Sequence, residues 1–546
     1  MRGWMLALGV MLLLLAFPGS VAADDAVLGR IGEAVQPIHS SQVRMVEEDV
    51  YIKVYPTRCE VTATFRFRND GPGTSILVGF PEGSLNGDEP GVDTTLHEFS
   101  ATVDGQPVQV IREVGLQPDQ NPRAYDYPSW LTWEMQFSAG QTREVRNTYW
   151  VTNSYDSQGW VETGYVMTTG SLWHGPIGRA KLTVELMDIR PSQLVGAFPG
   201  DFRFDGDLLV WEWQDIEPTT DLRLVANLRS PASYMLSGMD ENLRWQLEQL
   251  DLLREPEQVL QRIAQLRQVV PADKTDAALT YLQAMAEEAL GRTDAAIASW
   301  QRLLAMSGEP GSLVIPETNR VHSAWAAFGD ALFHLGGHYQ AQAMTAEMAQ
   351  LYHWAREVTA IGPPYQPVCW SPFMARWLGR WLPADQLLRE PPRLEVDLVP
   401  QTAQIWDFIV AITDLNADFS FYRSHMRVWY EQDGQLHHLI DTHQPELALQ
   451  RPKHTANGQH IKLIFQHELN DVPPGVTLHY MVEAVDAAGN KVVDSGQRSI
   501  KDLEATDNAD AEDDDAAAVD NQWLQWLVLV AVLGAYVASR RFRKST

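Results

Sequence analysis

The chain has 546 residues, 45% hydrophobic and 21% charged, a globular balance with room for three or four domains. Its 71 acidic and 42 basic residues give a formal net charge of −29. That excludes a nucleic-acid binder, which needs a basic footprint, and argues against adhesion to anionic lipid. Two cysteines, Cys59 and Cys369, are too few for a disulfide framework or a four-cysteine zinc site.

At the N-terminus Arg2 precedes an apolar run over residues 4–17, broken by Pro18-Gly19-Ser20. The small residues Val21-Ala22-Ala23 then stand before Asp24, so residues 1–23 have the layout of a secretory signal. Export leaves two alternatives for the thiols: a long-range Cys59–Cys369 disulfide, or a Cys59 buried as a small hydrophobe.

Residues 24–232 form the first folded region, expected to be an antiparallel all-β sandwich, or two small ones fused, of about ten strands without a helix. Residues 58–68 alternate cleanly, with Cys59, Val61, Ala63, Phe65 and Phe67 on one face and charged or polar residues on the other. Asp104-Gly105 and Asp205-Gly206 sit between strand-like runs, the signature of tight hairpins. The segments MVEEDVYIKVY, VTATFRFRNDGPGTSILVGFPEG and GSLWHGPIGRAKLTVEL resemble an uncharacterised family of exported bacterial β-domains. That resemblance implies a β fold and export, and transfers no catalytic residue.

From residue 237 to residue 390 the period changes to that of α-helices. Residues 241–270, 275–290, 293–306, 323–335 and 339–358 have helical spacing and helix-forming composition. Two units, one turning at Gly291 and one at Gly336-Gly337, resemble tetratricopeptide repeats, with small residues where helices would cross. The turns are 45 residues apart, too far for the usual repeat, which implies a short helical block. In the connector, Ser371 before Pro372 is a helix start, and Trp377 and Trp381 fall one turn apart. Trp370, Trp377 and Trp381 are therefore candidates for a binding groove, or for packing between domains.

Residues 393–500 return to strands, with hairpin signals at Asp433-Gly434 and Asn457-Gly458. The closing segment LHYMVEAVDAAGNKVVDSG resembles the last hairpin of bacterial immunoglobulin-like and fibronectin type III modules. That resemblance implies a spacer or binding module. Residues 501–520 hold nine acidic residues and make an acidic stalk that cannot bury apolar surface. Residues 521–540 then supply an apolar transmembrane helix, and Arg541, Arg543 and Lys544 lie in the tail of residues 541–546 on the cytoplasmic side. The expected layout is a single-pass cell-membrane protein with its N-terminal part outside the cytoplasm.

Signatures of catalysis are missing: there is no HExxH, GxSxG or Walker A pattern. Gly170-Ser171-Leu172-Trp173-His174-Gly175 places a serine near a histidine, but triads are assembled from distant segments. Eight of fifteen histidines fall within residues 425–479, and the adjacent His437 and His438 are candidate metal ligands. Asp88 and Asp93, in the acidic loop NGDEPGVD, are candidates for calcium. The seven tryptophans of the first region offer faces for a glycan. No cofactor is expected. The expected function is non-catalytic binding of a protein or envelope polymer; the alternative is an exported hydrolase with an inter-domain site.

Overall fold

The computed structural model describes residues 36–37, 42–82, 95–115, 129–155, 159–231, 245, 255–269, 272–306, 320–361, 373–401, 404–414, 416, 418–442, 462–470 and 472–499. The first β region opens with β1 (Gln36–Pro37), β2 (Val43–Val54), β3 (Arg58–Asn69), β4 (Thr74–Glu82), β5 (His97–Val103) and β6 (Gln106–Pro107). It continues through β7 (Ile111–Val114), β8 (Ser129–Phe137), β9 (Thr142–Thr152), β10 (Ser154–Tyr155) and β11 (Trp160–Tyr165). β12 (Ile177–Leu186), β13 (Leu194–Phe198), β14 (Arg203–Asp205), β15 (Leu208–Ile216) and β16 (Leu222–Asn227) complete it.

Eight of these strands form one sheet in the order β14-β15-β12-β2-β3-β9-β5-β6, which is not antiparallel throughout as expected, because β12 pairs with β2 in parallel. Two four-stranded sheets, β1-β4-β8-β7 and β10-β11-β16-β13, share its hydrophobic core. The alternation of β3 decides its inner face, where Cys59, Val61, Ala63, Phe65 and Phe67 are all buried. More strands form than the alternation announces, because β6, β10 and β14 are two or three residues long and too short to display a period. The Asp104-Gly105 turn forms between β5 and β6, while the β14–β15 turn falls one residue later than expected, at Gly206-Asp207.

β2 carries a bulge between Met45 and Glu47. Its buried face therefore moves from Val43 and Met45 to Glu48, Val50, Ile52 and Val54. Across from the bulge stands Gly178, where a Cβ would lie 2.8 Å from the Val46 carbonyl oxygen. The shift drives the Glu48 carboxyl fully into the core, where Tyr165 Oη donates to it at 2.9 Å.

The helical block contains α1 (Pro256–Val269), α2 (Ala272–Ala289), α3 (Thr293–Ala305), α4 (Arg320–Ala341), α5 (Thr345–Ile361) and the short α6 (Met374–Gly379). Gly291, with φ +67°, makes the α2–α3 turn as expected. The turn expected at Gly336-Gly337 does not form. α4 runs through both glycines, and the chain turns at Gln342-Ala343, with Ala343 at φ +55°.

Gly336 serves close packing: a Cβ there would stand 2.6 Å from Leu378 Cδ2 and 2.8 Å from the Trp377 ring. A Cβ on Gly337 meets nothing within 4 Å. The two neighbours should thus respond oppositely to alanine. Gly337→Ala is expected to stabilise by about 0.5–1 kcal/mol through helix propensity alone. Gly336→Ala gains the same term but adds overpacking of roughly 1–3 kcal/mol, for a net loss. Urea unfolding of both variants checks this, and equal signs would refute it.

The last region contains β17 (Arg393–Pro400), β18 (Trp406–Thr413), β19 (His425–Gln432), β20 (Gln435–Asp441), β21 (Lys462–Leu469), β22 (Leu478–Val485) and β23 (Lys491–Arg498). They make a three-stranded sheet β17-β18-β21 and a four-stranded sheet β20-β19-β22-β23. Asp433-Gly434 is the β19–β20 turn, and Asn457-Gly458 lies outside the described residues.

Both later regions dock on the first. Phe421 meets Phe198 at 5.5 Å between ring centroids, and Tyr422 meets Trp213 at 5.3 Å. Tyr422 Oη donates to the Thr220 carbonyl at 2.8 Å, and Ser420 Oγ donates to Asp201 Oδ2 at 2.7 Å. The helical block is pinned by Asp330 of α4, whose carboxylate accepts from Arg190 Nε (3.1 Å), Arg190 Nη2 (2.8 Å), Ser192 Oγ (2.5 Å) and Tyr281 Oη (2.9 Å).

Among the described residues no helix is long and apolar enough to cross a membrane. The apolar segment at residues 521–540, the acidic stalk and the signal at residues 1–23 lie outside the described residues.

Candidate binding cleft

The three regions meet around an open cleft of about 520 Å³. The first region contributes Phe202, Arg203 and Phe204 at the entry to β14. α5 contributes Tyr352 and Arg356, α6 and the residue after it contribute Arg376 and Arg380, and the connector contributes Leu387, Leu388 and Arg389. The last region closes it with Asn416 and Asp418 from the loop after β18, and Ala487-Ala488 from the β22–β23 turn.

Five guanidinium groups thus face one carboxyl. Arg376 is half-buried: its Nη1 donates to the Gly200 carbonyl at 2.9 Å and its Nη2 to the Phe202 carbonyl. Its guanidinium lies 3.9 Å from the Phe202 ring centroid, and burial pushes its proton affinity down. Arg380 packs against two indoles, 4.1 Å from Trp377 and 3.8 Å from Trp381, and donates to the Trp377 carbonyl at 3.0 Å and to Asp207 Oδ1 at 2.9 Å. Burial lowers Arg380 to about 10, which still leaves it charged at neutral pH. Arg203 pairs with Asp205 and Glu212 at 2.9 and 3.4 Å. Arg389 is exposed and forms no ion pair among the described residues.

Asp418 is the acid of this site. Burial raises its carboxyl to about 7, helped by the neighbouring Asp414 and opposed by Arg376. Asp414 is raised as well, chiefly by burial, although it accepts from the Asn416 and Asp418 backbone amides at 2.9 and 2.6 Å. These two bonds are a turn device that fixes the 414–418 loop against the cleft.

The tryptophan candidates lie one step behind this surface. Trp377 is 2% exposed, packs on Phe333 at 5.0 Å, and donates Nε1–H to Asp207 Oδ1 at 3.2 Å. Trp377 therefore packs the block onto the first region and does not line the cleft. Trp381, 4.5 Å from it, is half-buried, and Trp370, Ser371 and Pro372 lie outside the described residues. What the paired indoles present is Arg380. The arginines arrive from separate segments that share no local pattern.

Other candidates are not brought together. His437 and His438 are adjacent on β20, so their side chains leave opposite faces; His437 stacks on Tyr430 at 5.0 Å. His425 Nε2 instead lies 2.8 Å from Asp441 Oδ1. Among the described residues no group of three or more His, Cys, Asp or Glu is placed to hold a metal ion. Asp88 and Asp93 lie outside the described residues. Of the Ser171–His174 pair, His174 is exposed, and between them Trp173 is buried against Phe67 at 4.2 Å.

Cys59 is a free, buried thiol. Its Sγ donates to Asn153 Oδ1 at 3.1 Å and lies 2.9 Å from Thr163 Oγ1. Burial pushes it up to about 12, which keeps it an unreactive thiol. Cys369 lies outside the described residues. Five of the first region's seven tryptophans, Trp130, Trp133, Trp173, Trp211 and Trp213, are buried core residues.

No protein-family model and no curated protein matches the chain. Among solved structures it is similar to a Legionella pneumophila protein provisionally described as nutrient binding, at 21% identity and a TM-score of 0.36. That likeness covers 47% of this chain and 85% of the other. It is also similar to Legionella pneumophila aminopeptidase A, solved with aspartic acid, at 10% identity and a TM-score of 0.19. Here 81% of this chain and 59% of the other are covered. At these scores neither likeness bears on fold or activity.

Proposed function

We propose that the chain is a membrane-anchored, surface-exposed bacterial protein with a non-catalytic binding role, and that its ligand enters the three-region cleft. The carrying observation is that cleft: segments far apart in sequence converge on an open volume within the range of small-molecule sites, about 300–1,000 Å³. Its titratable lining, among the described residues, is five arginines, Tyr352 and Asp418.

The finer architecture supports display of binding modules. The α2–α3 hairpin, with Gly291 at the turn and buried Ala296 and Trp300, fits the tetratricopeptide resemblance. The three- and four-stranded sheets of the last region fit an immunoglobulin- or fibronectin-like sandwich. Residues 521–540 supply the anchor and residues 501–520 the stalk.

Deleting residue Trp523 onward is expected to move the whole protein from the membrane pellet to the soluble fraction; retention in the pellet would end the anchor assignment. A pull-down with the full-length chain from envelope extract tests the binding role.

The second reading, an exported hydrolase, has one observation in its favour: Asp418 titrates near 7, where a general acid or base works best. A hydrolase loses turnover on Asp418→Asn, whereas a binding protein keeps its ligand.

A further inference from the structure

We propose that the cleft binds a small organic anion by its oxyanion head, a phosphate or carboxylate, with the ligand's apolar part against Phe204, Leu387 and Leu388. This rests on the binding reading above and names the chemistry of its ligand. Three observations point to it.

The first is the gathering of charge. In a chain of net charge −29, five arginines and one carboxyl line this volume, and of the five Arg203 and Arg380 pair with carboxylates just outside the lining, Asp205, Glu212 and Asp207. Arginine outnumbers lysine 34 to 8 throughout, so the choice of arginine says less than the convergence of five from four separate segments.

The second is preorganisation. Arg376 is fixed by the Gly200 and Phe202 carbonyls and by the Phe202 ring, and Arg380 by Asp207 and two indoles. Each terminal nitrogen already makes one such bond and keeps a second N–H, so a guanidinium held in this way can donate to an oxyanion without first losing side-chain freedom. Structural arginines need such fixing too, but here they are fixed on the wall of an open volume.

The third is the acid. Asp418 lines the same volume as Arg376, and burial raises its carboxyl to about 7, so this wall repels an incoming anion less than an ordinary aspartate does. When protonated it can donate a hydrogen bond to the oxyanion.

The long-range field of the acidic chain opposes anions. At physiological salt, however, the screening length is about 8 Å, so contacts inside the cleft outweigh charges on distant faces.

The test is calorimetric titration of the full-length chain in detergent with glucose 6-phosphate, succinate and glucose. The proposal expects glucose 6-phosphate or succinate to bind with a Kd of millimolar or below, and glucose not to bind. A phosphate preference and a carboxylate preference are separated by those two arms.

Arg389→Ala, at an exposed position, is expected to weaken binding at least tenfold with the thermal midpoint unchanged, and Arg389→Lys to recover part of it. Asp418→Asn removes the one negative charge from the wall and is expected to tighten binding at least threefold, a gain that misfolding cannot imitate. Absence of heat with both anions at 10 mM, or binding unaltered in both variants, overturns the ligand class. If an envelope partner is still captured while neither anion binds, the binding role stands and this ligand class falls. If glucose 6-phosphate binds and inorganic phosphate is released, the ligand class stands and the non-catalytic role falls.

Discussion

Replacing Asp330 by alanine is expected to lower the unfolding free energy of the full-length chain by about 3 kcal/mol. Asp330 is 2% exposed and accepts four hydrogen bonds from three residues, two of them in the first β region and one on α2. Removing it leaves Arg190 without its carboxylate and leaves the Ser192 and Tyr281 hydroxyls without an acceptor. Breaking a buried ion pair from one side typically costs about 3–5 kcal/mol. The Arg190 side chain is 29% exposed, so water recovers part of that loss and the low end applies.

Asp330→Asn keeps the shape and one acceptor oxygen, enough for two of the four donors, without the charge, so its loss should be smaller. Urea unfolding measures both, with limited proteolysis between the helical block and the first region as an independent readout. A change below 1 kcal/mol for alanine would show that the regions are held by their apolar contacts alone.

The second large effect is a dependence on pH. Glu48 is fully buried, and desolvation raises its carboxyl from 4.5 to about 7 against the opposing hydrogen bond from Tyr165. Between those two values the folded chain holds a proton that the unfolded chain has released. Stability therefore falls as pH rises from about 4.5 to 7 and is level above it. A shift of that size corresponds to about 3 kcal/mol, fully lost by pH 8. Glu48→Gln keeps the shape and can still accept from Tyr165, so it should abolish this slope. Relative to the parent chain it should gain stability on going from pH 5 to pH 8. Taking the difference between the two chains cancels Asp201, Asp414 and Asp418, whose raised carboxyls pull in the same direction. Parallel stability curves for the two chains would refute the assignment.

The fold was legible wherever one strand or helix buries one face. The period of residues 58–68 predicts β3 and its buried set, and helical spacing predicts helices in the segment that carries α2 and α3. Gly291, Asp104-Gly105 and Asp433-Gly434 mark turns because positive φ is a local demand on the residue itself. Gly336 broke this rule, since a glycine can also be required by a neighbour. Only the approach of Trp377 and Leu378 distinguishes the two causes.

The cleft was less legible. Trp377 and Trp381 stood out because two indoles one turn apart are conspicuous, yet they serve by holding Arg380. Arg203, Arg356, Arg376, Arg389 and Asp418 are spread over more than two hundred residues, and no spacing links them. The sequence by itself determined the periods, several of the turns and the acidic balance. These follow from local backbone preference and from the solvation of single side chains. The tertiary structure alone decided that a bulge turns Glu48 inward, that Asp330 joins two regions, and that five arginines share one volume. Each depends on which distant segments come within a few ångströms, and that is set by packing among three regions at once.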